Sequence, residues 1–310
     1  MISFDPNDTN IVLSPLADPV ASAIFANVEV AGLATESLIR ATLKTDNNSN
    51  LLGKVVRVTP QSSHMLPQIR GCRVDVEVET DANERVLFEI QMDSDSHIMQ
   101  RDLFSASHIF TGTSSKGDTS AQMAAKMPQV IYLNILGYNI RKDNTDMVQP
   151  FKILYTKAPQ RIAVHNFGGY NIQLPRVLEM KPDFTDSLYC WCYTLYNAHT
   201  KGKTIQEVIS VTPALQTYAE QDIGYQQFCE QYQLVAASPE ARHNYVQWCI
   251  SLMREEGMKE AIREEGREEV RQEAEEKRIE GLLTIARKMK AAGRPIEEIV
   301  EFTGVSATDI

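Results

Sequence analysis

Apolar and polar positions alternate most regularly between Val74 and Met92. Val74, Val76 and Val78 are interleaved with Asp75, Glu77 and Glu79, the period of two that a half-buried strand requires. Asp81, Ala82 and Asn83 supply turn chemistry, and an apolar run resumes at Val86, interrupted only by Glu89 and Gln91. Those two polar residues are two apart, so they point to the same face of one strand. The pattern predicts a hairpin that can bring Asp75, Glu89 and Gln91 together, with Glu77 and Glu79 at the rim or in solvent.

Around this hairpin the periodicity changes. Val20, Ile24, Phe25 and Val28, then Leu33, Leu38, Ile39 and Leu43, fall at helical intervals and predict two helices separated near Gly32. Ser14-Pro15 and Asp18-Pro19 punctuate the approach, and residues 44–50 read as a loop. Lys54 to Thr59 reads as a strand. Ser94-Asp95-Ser96 offers a cap for a helix from about His97 to Phe110, and Ala121 to Lys126 is a short helical piece. Val130 to Leu136 is almost continuously apolar, as in a strand buried on both faces. Phe151 to Tyr155, Ile162 to Phe167 and Tyr170 to Leu174 extend the sheet, with Gly168-Gly169 read as a turn. The order of elements predicts an α/β fold, a mixed central sheet flanked by helices.

From about Asp183 the pattern is helical. Leu188, Trp191, Cys192, Leu195 and Tyr196 share a face, and amphipathic helices continue to Leu252. Arg254 to Arg278 holds ten glutamates and seven lysines or arginines, with a thin stripe of Met258, Ile262, Gly266, Val270 and Ala274. It reads either as a solvated helix carrying Glu–Arg and Glu–Lys pairs or as a surface for homo-oligomerisation. Beyond it, Leu282, Leu283, Ala286 and Met289 form a face that Ile296, Ile299 and Val300 can meet after Gly293 and Pro295. Only six residues follow Gly304, too few for a groove-reading helix, so this end reads as a packing module. The expected organisation is 1–180, 181–252 and 253–310.

Composition narrows the partners. Of 310 residues 43% are hydrophobic, enough for a packed core, and the net charge is −10, so nucleic acid would need a local basic surface. Residues 96–165 offer one: Arg101, Lys116, Lys126, Arg141, Lys142, Lys152, Lys157 and Arg161 face only four aspartates. The five scattered cysteines fit a reducing compartment, and a cytoplasmic location is expected. The opening MISFDPNDTN lacks a signal-peptide pattern, and no apolar run is long enough for a membrane span.

Several motifs fail. Gly202-Lys203-Thr204 lacks the phosphate-loop glycine, since position 197 is Asn. Cys190 and Cys192 have no second pair at zinc spacing, and the six histidines form no HExxH. The hairpin trio remains. Phosphodiester hydrolysis needs charge neutralisation and an aligned water, and hard carboxylate oxygens holding Mg²⁺ or Mn²⁺ supply both. On spacing alone, a solvated polar face explains the same residues.

The order of these segments resembles the PD-(D/E)XK nuclease superfamily, and more narrowly the Rpn family of recombination-promoting nucleases, also described as transposases. The resemblance rests on LSPLADPVASAIFAN (13–27), VDVEVETDANERVLFEIQM (74–92), QVIYLNILGY (129–138) and IEEIVEFTGVS (296–306). It implies a restriction-endonuclease-like sheet and a Mg²⁺-dependent DNA endonuclease, with Asp75 and Glu89 as metal ligands. Gln91 would stand where the wider superfamily has Lys. The resemblance matches Asp18 to an acidic position in the first helix, Glu36 is a further helical acid, and the basic stretch 96–165, with Arg101, Lys116 and Lys126, is expected to hold the DNA backbone. Val20 and Ala21 depart from the basic or aromatic residue that relatives carry after the first acidic position. The alternative is a nuclease fold that works as a non-catalytic interaction module. An RNase H-like transposase would need a third, distant acid that the chain does not place.

Overall fold

The structure, a computed structural model, describes residues 11–46, 53–64, 72–140 and 145–310. Arg141 and Lys142 of the basic stretch lie outside them. The chain divides into two compact units, Met1–Val246 and Gln247–Ile310.

In the first unit α1 (Asp18–Phe25) and α2 (Val28–Leu43) lead into β1 (Val55–His64), β2 (Cys72–Thr80) and β3 (Glu84–Gln91). Then come α3 (Ile98–Thr113), α4 (Ser120–Lys126), β4 (Gln129–Leu136), β5 (Val148–Tyr155) and β6 (Ala158–Gln173). The sheet order is β1-β2-β3-β4-β6-β5. The strands β3, β4 and β6 run parallel, and β1, β2 and β5 pair antiparallel with their neighbours. Helices α5 (Ser187–Lys201), α6 (Ile205–Ser210), α7 (Pro213–Gln221) and α8 (Ile223–Ala237) follow, and α9 (Pro239–Ala291) starts in this unit. The expected mixed sheet with flanking helices is present.

The parallel register aligns Leu87, Tyr132 and Gly169, then Glu89, Asn134 and Asn171, on one face. Its apolar part packs against Ala106 and Ile109 of α3, in a cluster that includes Val130 and Phe167. Phe88, Leu133 and Ile172 on the other face are equally buried, as a strand covered on both sides requires. Helix α8 packs on α2 closely enough that a Cβ at Gly224 would lie 2.3 Å from the Leu33 carbonyl oxygen. Trp191 of α5 meets Tyr225 and Phe228 edge-on in the same core.

Four expectations change. The break between the first two helices falls at Ala26-Asn27, not at Gly32: the Asn27 side chain accepts the Val30 N–H and caps α2, which runs through Gly32. Gly168 and Gly169 lie inside β6 and make no turn. A Cβ at Gly169 would stand 2.5 Å from the Tyr132 oxygen and 2.7 Å from the Phe151 ring, so glycine lets β4 and β5 close on β6. The first strand extends to His64, past the expected Thr59. Glu77 is not at a solvated rim but only 3% exposed. Ser62 donates to its carboxylate, while His64 (2.9 Å) and Arg85 (2.9 Å) contact it. Burial would raise the Glu77 pKa, but the His64 and Ser62 hydrogen bonds and the His64 and Arg85 charges hold it at about 2.

In the second unit, α9 continues through the charged stretch, where Met258, Ile262 and Val270 are exposed. Glu255–Lys259, Glu273–Lys277 and Glu275–Arg278 pair along it. Gly293 adopts a positive φ after α9, and α10 (Ile296–Thr303) returns so that Ala286 and Ile299 are fully buried.

Candidate active site

The antiparallel register of β2 and β3 runs from Glu79↔Arg85 to Val76↔Phe88. Toward Asp75 the backbone pairing gives way to a side chain: the Ile90 N–H donates to Asp75 Oδ2 at 2.7 Å. On the other flank, the β1–β2 register passes from Pro60↔Val76 to Ser62↔Val74 and skips Asp75 and Gln61. Gln61 has φ 50°, so β1 bends where it faces Asp75. Asp75 therefore sits where the ladder opens on both sides.

Helix α3 brings the cation. The Asp95 carboxylate accepts the His97 N–H at 2.8 Å, setting the start of the helix; the helix has no side-chain cap from Ser94 or Ser96. One turn in, Arg101 Nη1 donates to Gln91 Oε1 and to Asp95 Oδ2, both at 3.0 Å, and Nη2 stands 3.6 Å from Glu89 Oε2. The Gln91 amide donates to the Asp93 carbonyl at 3.1 Å, which fixes its flip. Sequence reasoning brought Asp75, Glu89 and Gln91 together on the hairpin and set Arg101 on the helix that follows it. The fold puts all four at the same end of the sheet.

The electrostatics are those of crowded acids. Burial is the largest influence on Glu89, and the charges of Asp75, Asp102 and Asp18 add to it; together they overcome Arg101 and push its pKa up to about 8. Burial likewise pushes Asp75 up to about 6, with Asp18 adding and the Ile90 N–H, Arg101 and Arg73 opposing. Asp18 thus acts on both carboxylates through space. Burial also raises the Asp18 pKa.

Behind the pair lies a buried polar group that the sequence reading did not single out. Asn134 Nδ2 donates to Asp102 Oδ2 at 2.7 Å and to Asn171 Oδ1 at 2.9 Å. Asn134 and Asn171 share a sheet row with Glu89, and Asp102 follows Arg101 on α3. Burial pushes Asp102 up to about 7, against the Asn134 hydrogen bond and Arg101. The available signal was Asn134 itself, the one polar residue inside VIYLNIL.

The remaining candidates sit elsewhere. Glu36 pairs with Arg40 along α2 at 2.8 Å. Lys126 is held by both oxygens of Asp118, at 2.8 and 2.9 Å, and Lys116 is exposed between α3 and α4.

The donors suit a hard divalent cation. Asp75 retains Oδ1, Glu89 is one strand away, and their mutual repulsion is what a cation would relieve. Among the described residues no three Asp, Glu, His or Cys side chains form a ready ligand cluster. Mg²⁺ does not need one, because one or two carboxylates with water and substrate phosphate complete its shell.

A mixed sheet flanked by helices, with an acidic pair on the opened hairpin and a helix-borne arginine beside it, defines a nuclease-like α/β protein. The chain belongs to the PD-(D/E)XK nuclease family transposases, whose family model matches residues 35–249. No curated protein and no solved structure matches. The matched stretch includes the hairpin, α3 and α5 to α8, and leaves Asp18 outside.

Proposed function

We propose that the chain is a metal-dependent endonuclease hydrolysing DNA phosphodiester bonds, in keeping with a recombination-promoting role. The observation that carries this reading is the convergence of Asp75, Glu89, Gln91 and Arg101 where the hairpin ladder opens. Asp75 and Glu89 would hold Mg²⁺ or Mn²⁺, which supplies charge neutralisation at the phosphate and an acidified water. Gln91 Oε1, already accepting from Arg101, has a second lone pair that can orient that water. The Arg101 guanidinium has donors to spare for a phosphate oxygen, and it supplies the positive charge that a neutral amide at position 91 cannot. Lys116 and Lys126 would follow the DNA backbone from the α3–α4 connection. No described single helix is long and apolar enough to cross a membrane.

The test is plasmid nicking with and without Mg²⁺. Asp75→Asn and Glu89→Gln should each abolish metal-dependent cutting while circular dichroism shows an unchanged fold. Cutting by both variants at the wild-type rate would refute the assignment and leave the interaction-module reading.

A further inference from the structure

Between Asp146 and Glu179 the chain contains no acidic residue but carries Lys152, Lys157, Arg161 and Arg176. Most of this segment is the β5–β6 hairpin. Strand β6 pairs with β4 only from Phe167 onward, so, among the described residues, 158–166 have β5 as their one strand partner. Beyond the Lys152↔Gly168 pair, β5 contributes only Ile153 to Tyr155 before the turn at 156–157, and register shifts take up the extra residues of β6, so the two-stranded ribbon reaches roughly 15 Å beyond the sheet. Asn166 anchors its base, donating to the Met127 and Pro128 carbonyls.

Charge selects the partner of this ribbon. Lys157 and Arg161 are exposed and, among the described residues, neither has an acidic partner. Arg161 lies over the exposed Tyr155 ring, 5.8 Å from its centroid, which holds the guanidinium outward on a rigid platform. Lys152, near the base, approaches Asp46 at 4.0 Å, and Arg176, beyond the hairpin, pairs with Glu179. A protruding segment of purely positive charge is complementary to a polyanion and repels the same ribbon of a second copy. Edge pairing with another chain is also opposed by Pro150 in β5, Pro159 in β6 and three register shifts that twist the ribbon. The shape selects among polyanions. A two-stranded ribbon fits the roughly 12 Å major groove of B-form DNA, whereas the A-form major groove of duplex RNA is too narrow.

We infer that the β5–β6 ribbon is a DNA-docking arm that lies in the major groove, with Lys157 and Arg161 on the flanking phosphates. This rests on the nuclease reading and deepens it by naming where the duplex is held. Arg161 is ten residues along β6 from Asn171, the row that contains Glu89. On β5 the same interval, Gln149 to Leu154, is only five residues, so the arm holds the duplex on the order of 15–20 Å along the sheet from that row, about half a helical turn.

The experiment measures anisotropy of a labelled 30-base-pair duplex in EDTA with the full chain. Lys157→Glu/Arg161→Glu should weaken binding by about tenfold or more, and Lys157→Gln/Arg161→Gln should weaken it less. The glutamine pair should also lower the slope of log affinity against log salt by about two. Both variants should keep the wild-type melting temperature, since both side chains are exposed. Duplex RNA of the same length should show little dependence on the two residues. Wild-type affinity in both variants, or no DNA binding by the wild type, overturns the proposal. So does a changed sedimentation coefficient with unchanged DNA affinity, which would assign the ribbon to a second copy. Plasmid nicking by Glu89→Gln separates the two readings. If nicking is absent in wild type and variant alike while ribbon-dependent binding persists, the nuclease reading fails alone.

Discussion

Glu89→Gln should make the metal-free protein more stable, although it removes the residue on which cutting depends. Glu89 is 9% exposed, with its pKa pushed from the ordinary 4.5 up to about 8 by burial and by Asp75. A folded-state pKa above the unfolded one means that folding favours the protonated acid. Stability is then fullest below pH 4.5 and falls as pH rises through the folded value. At about 1.4 kcal/mol per pH unit, the loss reaches roughly 3 kcal/mol by pH 7 and roughly 5 kcal/mol beyond pH 8. Glutamine does not ionise and escapes that loss. The variant should therefore match the wild type near pH 4.5 and exceed it by up to about 3 kcal/mol at pH 7, roughly 6–12 °C in melting temperature for a unit of this size. Asp75→Asn should recover part of the same gain, and the two gains should not add, because each acid supplies part of the other's repulsion. The assay is urea denaturation in EDTA at pH 4.5, 7 and 8.5, repeated with Mg²⁺, which should stabilise the wild type and not the variant. A variant less stable than wild type at pH 8.5, or a difference that does not grow with pH, would refute the reasoning.

Three further outcomes follow from the same structure. Mg²⁺ binding should release about one proton near pH 7, because Glu89 enters protonated and must ionise to ligate; titrations in buffers of different ionisation enthalpy would read it, and zero release would contradict the assignment. Glu77→Gln should destabilise the fold by about 3 kcal/mol at pH 7, since its pKa of about 2 contributes stability that is present above 4.5 and lost as pH falls toward 2. The variant's denaturation curves should show a flatter acid limb, and an unchanged limb would sink the idea. Gly169→Ala should cost about 3 kcal/mol or more, because the new Cβ meets the Tyr132 backbone at 2.5 Å; chemical denaturation that finds the variant within 1 kcal/mol of wild type, roughly the noise of such a comparison, would show that β4 can move aside.

The elements that follow from local periodicity were legible. Alternating valines marked β2, and the near-unbroken VIYLNIL marked β4 as covered on both faces. What escaped depends on neighbours that periodicity cannot see. Gly168-Gly169 reads as a turn by composition, yet its meaning is lateral: Tyr132 and Phe151 press on β6 from both sides. Glu77 has the same alternation as Asp75, and only the arrival of Ser62, His64 and Arg85 from β1 and β3 makes it a buried ionic hub. The candidate site was half legible. Asp75, Glu89 and Gln91 follow from strand parity, and Arg101 from its place early in α3. Asn171 required the sheet order, because its row with Glu89 and Asn134 exists only once β3, β4 and β6 lie parallel, and Asp102 required α3 laid against that row.

That row also bears on the neutral amide at position 91. A lysine there would place its charge directly beside Glu89. Gln91 instead accepts a hydrogen bond from Arg101, so the positive charge comes from α3 and not from β3. The geometry of the cation then depends on how α3 is seated. Asp102, the next residue, is tied through Asn134 to Asn171, deep in the sheet. Asp95 ties the first turn of the same helix and holds the guanidinium from its far side. A buried polar network is worth keeping inside an apolar sheet when it specifies one arrangement. Here the arrangement it specifies is the height and rotation of α3 over Glu89. With Arg101 so placed, the helix cation meets both Gln91 and Glu89, and the absence of lysine moves the charge without removing it.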